Sequence, residues 1–254
     1  MISYGFCHLS VVPVRETPSD LSQMTTQLLF GDVFEIFATT TKWVYIKNAY
    51  DEYLGWIDYK QFILITEEEF LKLQNPLFIN KKMGVVSVNN AHYDILPAST
   101  FPSTLSFTIQ DYVFEHNVDV IPFEIAEQHD IYNLAFSYLN SPYIWGGKSL
   151  FGIDCSGFTQ NVYKMAGIKL KRDAAQQATQ GVNLSFLNEA KQGDLLFFDN
   201  AEGKIIHVGI YLGENKIIHA SGKVRIDIID HQGIYNEEIN KYTHNLRLIK
   251  SFSS

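Results

Sequence analysis

A chain of 254 residues is too long for a disulfide-stapled miniprotein and long enough for one large domain or two to three small ones. Its 46% hydrophobic and 19% charged residues exclude a disordered tail and fit a globular protein with apolar cores. A formal net charge of −8 does not suit a nucleic-acid binder, which needs a basic face, and it counts against clinging to polyanionic polymers.

Cysteine occurs twice, as Cys7 and Cys155, far apart and without CxxC or Cys/His metal-ligand spacing. Neither a disulfide framework nor a metal site is expected, and no cofactor is implied. Residues 1–14 carry no basic segment followed by an apolar run, and no run approaches the length of a membrane span. The expectation is therefore no secretion signal, no membrane contact and a cytoplasmic location.

In chain order, short apolar alternations separated by turn residues come first. Ser10 to Arg15, Asp32 to Phe37, Lys42 to Ile46 and Leu54 to Ile57 each read as a strand, and Cys7 is expected in a barrel strand as a structural residue. Strands this short and closely spaced suggest a small barrel. The landmarks Val12-Pro13-Val14-Arg15, Thr17-Pro18-Ser19, Gly31-Asp32, Trp43 to Ile46 and Tyr53 to Ile57 resemble those of a bacterial SH3-like domain from Leu9 to Ile65. Thr66 ahead of Glu67-Glu68-Glu69-Phe70-Leu71 predicts an N-capped helical linker ended by Pro76. Strand signals resume at Gly84–Val88, Ser106–Ile109 and Tyr112–Phe114, with a loop around Pro97, Ser99-Thr100 and Pro102. Their size suggests a second, degenerate SH3-like barrel.

The texture changes at Glu124. Ile131, Leu134, Ala135, Tyr138 and Leu139 fall at helical spacing before Pro142, and a second helix is expected from Cys155 to Ala166. Near-continuous strands follow at 194–199, 208–212, 216–220 and 224–229, with a last one at 245–249. Helices first and antiparallel strands after them describe an α+β domain. The expected domains are 1–66, 67–125 and 126–254.

The sharpest chemistry lies at Asp154-Cys155-Ser156-Gly157-Phe158. A cysteine in the first turn of a helix sits in the positive end of the helix dipole, which predicts a lowered thiol pKa and a nucleophilic thiolate. Amides of the same turn have no intrahelical partners and suit an oxyanion. A thiolate of this kind wants an imidazole partner. His207 and His219 stand on what a turn at Leu212-Gly213-Glu214-Asn215 would make neighbouring antiparallel strands, so His219 could orient His207.

Five ordered motifs carry a closer resemblance: Tyr143 to Gly147, Asp154 to Phe158, Gly193 to Phe198, His207 to Tyr211 and Ile217 to Ala220. From about Gln128 onward the chain resembles the NlpC family of papain-like cell-wall cysteine peptidases. The resemblance implies Cys155 as nucleophile, His207 as base, His219 as orienting residue and Tyr143 near the oxyanion. It implies a multidomain architecture of small all-β SH3-like barrels followed by an α+β cysteine peptidase domain. SH3-like modules ahead of such a domain look like γ-D-glutamyl-L-diamino acid endopeptidases, in which the first barrel roofs the cleft and admits only peptides with a free N-terminal L-alanine. Murein peptides would be the partner, the protein a monomer, and recycling the setting. Arg172 to Gln177 resembles the segment lining the S2 pocket, with Asp173 expected to bind the alanine ammonium. Ala174 stands where relatives often have Ser.

Several residues admit plainer roles. Asp154 could cap the helix or touch substrate, and Ser156 could bind substrate or close the turn. Trp145 shapes the pocket turn or contacts substrate; Glu16 is a solvated turn residue or, like Tyr53, a barrel contribution to substrate binding. His8, His92, His116, His129, His231 and His244 read as surface. The rival functions are an extracellular cell-wall hydrolase or amidase, a non-catalytic wall-binding protein and an acyltransferase. Intact Cys155, His207 and His219 speak against the non-catalytic reading.

Overall fold

Apolar residues at every second position make half-buried strands, and in the N-terminal region they do so from the first described residues onward. The computed structural model describes residues 3–75, 77–123 and 131–252. These fall into two compact units, residues 3–123 with Trp145–Ser149, and residues 131–144 with 150–252. The expected boundary at 125/126 and the helix-ending Pro76 lie outside the described residues, as does His129.

In the first unit, β1 (Ser3–Phe6), β2 (Val11–Arg15), β3 (Met24–Leu29), β4 (Val33–Thr39), β5 (Trp43–Asn48), β6 (Leu54–Asp58) and β7 (Ile63–Ile65) form one sheet in the order β3-β2-β6-β5-β4-β1-β7. Its interior is filled by Val12, Val14, Leu28, Phe34, Ile46 and Ile57 among others. Each such side chain contributes roughly 1.5–3 kcal/mol when fully buried. Cys7 belongs to this core but sits one residue past β1, bridging to the Gly31-Asp32 turn through backbone bonds to both residues.

α1 (Glu67–Lys72) follows, capped as the sequence predicts: Glu69 N–H donates to Thr66 Oγ1 at 3.2 Å, and Thr66 N–H donates to Glu69 Oε2 at 2.8 Å. Next come β8 (Phe78–Asn80), β9 (Gly84–Val88), β10 (Ala91–Ile95), β11 (Thr100–Phe101), β12 (Ser106–Ile109), β13 (Tyr112–His116) and β14 (Val120–Pro122). They pair as β10-β9-β13-β12 and β11-β8-β14. The loop expected around Ser99-Thr100 is therefore partly strand, because Thr100 and Phe101 pair with β8. Phe101 and Phe114 share one core with Phe6 and Phe30. Gly31 shows how close the approach is: its φ is +87°, and a Cβ there would lie 1.8 Å from Thr100 O. His116 is buried rather than on the surface, its Nε2 lying 3.1 Å from Ser103 O and its ring against Phe101. His8 is half-buried, whereas His92 and His231 are exposed. The two-residue strand β15 (Lys148–Ser149) also belongs to this unit, where Lys148 N–H donates to Gln27 Oε1 at 2.7 Å.

In the second unit α2 spans Ile131–Phe136, shorter than the apolar spacing predicts. Ser137 Oγ donates to Leu134 O at 2.6 Å and Asn140 takes a φ of 69°, and the chain between them, Leu139 included, is a turn. Then come β16 (Gly152–Ile153), α3 (Cys155–Met165), α4 (Ala174–Gln177), β17 (Val182–Leu184), β18 (Leu195–Asp199), β19 (Ile205–Gly213), β20 (Lys216–Ser221), β21 (Lys223–Ile229), β22 (Gly233–Asn236) and β23 (Lys241–Ser251). The sheet order is β17-β23-β18-β19-β20-β21-β22, and all pairings are antiparallel. β23 outruns the expected last strand: its first half pairs with β22 and its second with β18, which closes the sheet on itself. α3 packs against β19 and β20. The β19–β20 hairpin turns through Glu214-Asn215, both left-handed at φ 50° and 57°, the backbone that matches strand twist.

Candidate active site

α3 begins where Asp154 leaves the extended region (φ −94°, ψ 176°) and its carboxylate accepts Gly157 N–H at 2.6 Å. The same carboxylate takes both arms of Arg172, at 3.0 and 2.6 Å, and Arg172 Nη1 also donates to Ser156 Oγ at 2.9 Å. The guanidinium is 1% exposed. The Asp154 side chain caps the helix, and Ser156 is tied into the same network. Gln177 on α4 fixes the turn from the far side, donating to Ser156 O at 3.0 Å and accepting from Thr159 Oγ1 at 2.7 Å.

Cys155 is therefore the first residue of a rigidly held helix, buried to 7% exposure. Burial, then the Asp154 carboxylate, push its thiol up to about 12. The backbone of Val208 and of Ser156 and the Arg172 guanidinium favour the thiolate but do not prevail. The expectation of a lowered thiol pKa is thus corrected: burial first, and the capping carboxylate after it, outweigh the positive helix end and raise the pKa. The contact with Val208 sets the sulfur against the strand residue that follows His207.

His207 and His219 come together across β19 and β20. Gly209 pairs with His219, so His207 is the diagonal neighbour of His219 on one sheet face, and their Nε2 and Nδ1 atoms lie 2.8 Å apart. Gly209 permits this, since a Cβ there would lie 2.9 Å from His219 Cβ and 2.7 Å from Ile217 Cδ1. Burial lowers the pKa of both rings, that of His207 well below the usual value, so both are neutral. Tyr143 is half-buried, and burial, then Cys155 and Asp154, push its hydroxyl up to about 12, which keeps it a donor. Asp173 follows Arg172 directly, half-buried at the start of α4, with its N–H on Gln176 Oε1 at 3.2 Å. Glu16, Tyr53 and Trp145 belong to the first unit, where Glu16 is exposed, Tyr53 half-buried and Trp145 60% exposed.

Three contributors escaped the sequence reading. Asp227 Oδ2 lies 2.9 Å from His219 Nε2, and its other oxygen accepts from Arg225 Nη2 at 2.9 Å. Its signal was an opposite-charge pair at positions 225 and 227, in phase with core residue Ile229. His244 is half-buried, with its ring stacked on His207, centroids 4.1 Å apart. In the sequence Arg172 stands only as part of a pocket segment, since nothing local announces a buried ion pair. Among the described residues, no group of three or more His, Cys, Asp and Glu could hold a metal ion.

Comparison with known proteins bears on these two units. The NlpC/P60 family pattern matches residues 140–244, and the bacterial dipeptidyl-peptidase SH3 domain pattern matches residues 14–62. A γ-D-glutamyl-L-lysine dipeptidyl-peptidase of Bacillus subtilis is 31% identical over 84% of this chain and 78% of its own length. Its namesake from Bacillus cereus is 30% identical over 80% of this chain and 68% of its own. The crystal structure of an NlpC/P60 family protein from Bacillus cereus superposes with a TM-score of 0.82, covering 98% of this chain and 99% of that one at 21% identity, a likeness of fold. The chain belongs to the NlpC/P60 family of cysteine peptidases, with a bacterial SH3-like region preceding its peptidase domain.

Proposed function

We propose that this peptidase hydrolyses the γ-D-glutamyl–diamino acid bond of stem peptides that carry a free N-terminal L-alanine. The observation that carries the proposal is the union, in one family member, of a helix-start cysteine beside Val208 with the buried His207–His219 pair. Similarity to two γ-D-glutamyl-L-lysine dipeptidyl-peptidases supports the choice of bond.

In this mechanism Cys155 passes its proton to His207 as the sulfur attacks the γ-carbonyl of D-glutamate. Gly157 N–H is held by the Asp154 cap, Phe158 N–H by Asp154 O and the Ser156 amide by the Cys155 sulfur, so the oxyanion falls to the Cys155 amide and the Tyr143 hydroxyl. His207 returns the proton to the departing amine of the diamino acid, leaving a thioester. Water then attacks the thioester, giving a proton to His207, and the thiol re-forms. Asp173 supplies the counter-charge for the alanine ammonium; Glu16, Tyr53 and Trp145 are the further substrate contacts to test. A requirement for free alanine suits recycling of released peptides in the cytoplasm.

The test is mass spectrometry of the purified protein with L-Ala-γ-D-Glu-L-Lys and its diaminopimelate counterpart, each also acetylated at the N-terminus. Release of L-Ala-D-Glu from the free peptides alone, lost in Cys155→Ala, supports the proposal. Cleavage of acetylated peptides as well identifies a general wall hydrolase, and cleavage of none points to a binding role.

A further inference from the structure

The hydrogen-bond line from His207 does not stop at His219. The register places Gly209 opposite His219 and His219 opposite Arg225, so His207, His219 and Asp227 lie on successive diagonals of three adjacent strands. Their contacts are 2.8 Å and 2.9 Å, and the side chains of His219 and Asp227 are 1% and 5% exposed. Arg225 holds the outer carboxylate oxygen and reaches Glu238 at 2.9 Å with its other arm.

We propose that Asp227 is a positioning residue of the peptidase, one that sets the tautomer of His219 and, through it, leaves the His207 Nδ1 lone pair open. The inference rests on the roles of Cys155 and His207 given above. A carboxylate can only accept, so His219 Nε2 carries the hydrogen and its Nδ1 must accept in turn. His207 Nε2 therefore donates to His219, and Nδ1 is the nitrogen left to take the thiol proton. Arg225 makes the arrangement one-way. With Asn at position 227, the guanidinium claims the amide oxygen and turns the NH₂ toward His219 Nε2. Both imidazoles then reverse, and His207 Nδ1 acquires the hydrogen. Burial raises the Asp227 pKa, but the bonds from His219 and Arg225 outweigh it and hold the carboxyl below its usual value. The other ionisable groups around this line are His244 on β23, with ring centroids 4.1 Å from His207 and 5.8 Å from His219, Arg225 on β21, Glu238 beyond β22, and Cys155 on α3 beside Val208.

Nitrogen-15 spectra of the imidazole rings in the parent protein test the tautomer without turnover. His219 protonated at Nε2 and His207 protonated at Nε2 is the expected pattern; either hydrogen on Nδ1 overturns the proposal. In Asp227→Asn, kcat on L-Ala-γ-D-Glu-L-Lys should fall about 10- to 100-fold, the range for removing an outer partner that orients a site ligand, with KM little changed and the melting temperature near parental. Adding Arg225→Ala should restore part of that kcat by freeing the amide to rotate, whereas a merely structural role predicts a further loss. In a His219→Ala background Asp227→Asn should cost less than threefold; an undiminished cost overturns the proposal. Activity surviving in Cys155→Ala would instead sink the underlying assignment, an outcome the ring spectra cannot imitate.

Discussion

Arg172→Leu isolates the ion pair beneath the start of α3. The guanidinium and the Asp154 carboxylate are 1% and 8% exposed and meet through two bonds of 3.0 and 2.6 Å. Leucine fills the volume but removes the positive charge, leaving the carboxylate buried with the Gly157 amide and the Ser156 hydroxyl. Breaking a buried pair from one side costs about 3–5 kcal/mol, because the remaining charge stays desolvated. At roughly 2–4 °C per kcal/mol for a chain of this size, melting should drop by roughly 6–20 °C. Urea unfolding and circular-dichroism melts of the single variant, set against Asp154→Asn/Arg172→Leu, give the assay. The double variant should recover part of the loss, since it carries no buried charge. A single variant within about 1 kcal/mol of the parent would refute the reasoning, for it would mean that water reaches Asp154.

Two further outcomes follow from the sheet. His244 is held neutral, burial lowering its pKa from 6.5 to about 4. The unfolded ring protonates near 6.5 and the folded one only near 4, so stability is full above pH 6.5 and falls as pH drops toward 4, by at most about 3 kcal/mol before discounting for the ring's partial solvent contact. His244→Phe should shrink the difference in urea stability between pH 7 and pH 4.5; an unchanged difference would contradict a buried neutral ring. Gly209→Ala must displace His219, whose Cβ would lie 2.9 Å from the new methyl. A fall in kcat of at least about tenfold with KM nearly constant is expected from steady-state kinetics, as loss of geometry at the base rather than of binding.

Much of this architecture is legible in the chain because its strands announce themselves locally. Val33 to Ile36 and Trp43 to Ile46 are short runs rich in β-branched and aromatic residues, and Thr66 with Glu69 spells its own cap. What escaped was either short or polar: β3 reads Met-Thr-Thr-Gln-Leu-Leu, β7 has three residues and α4 four. Their stability comes from neighbours, not from propensity. The same division runs through the site. Cys155, His207 and His219 stand in motifs with internal order, so they could be singled out. Asp227 could not, because its meaning depends on the register of β20 on β21, and Arg172, eighteen positions after Asp154, matters only once the chain between them has folded back. The thiol's raised pKa is hidden from the sequence for a related reason: it comes first from burial, which only the folded chain creates, and then from the carboxylate that caps the same helix end.

The Glu214-Asn215 turn gives the enzyme an uneven tolerance to added length. With two residues in left-handed backbone joining β19 to β20, one inserted residue would slip the pairing and throw His219 to the opposite face of the sheet. In the turn at Asn200–Lys204, just before β19, Ala201 to Lys204 are exposed, so added chain there would run into solvent. A fluorescent reporter or affinity handle spliced there should leave a working peptidase. The same cargo twelve residues later should yield a folded but silent one.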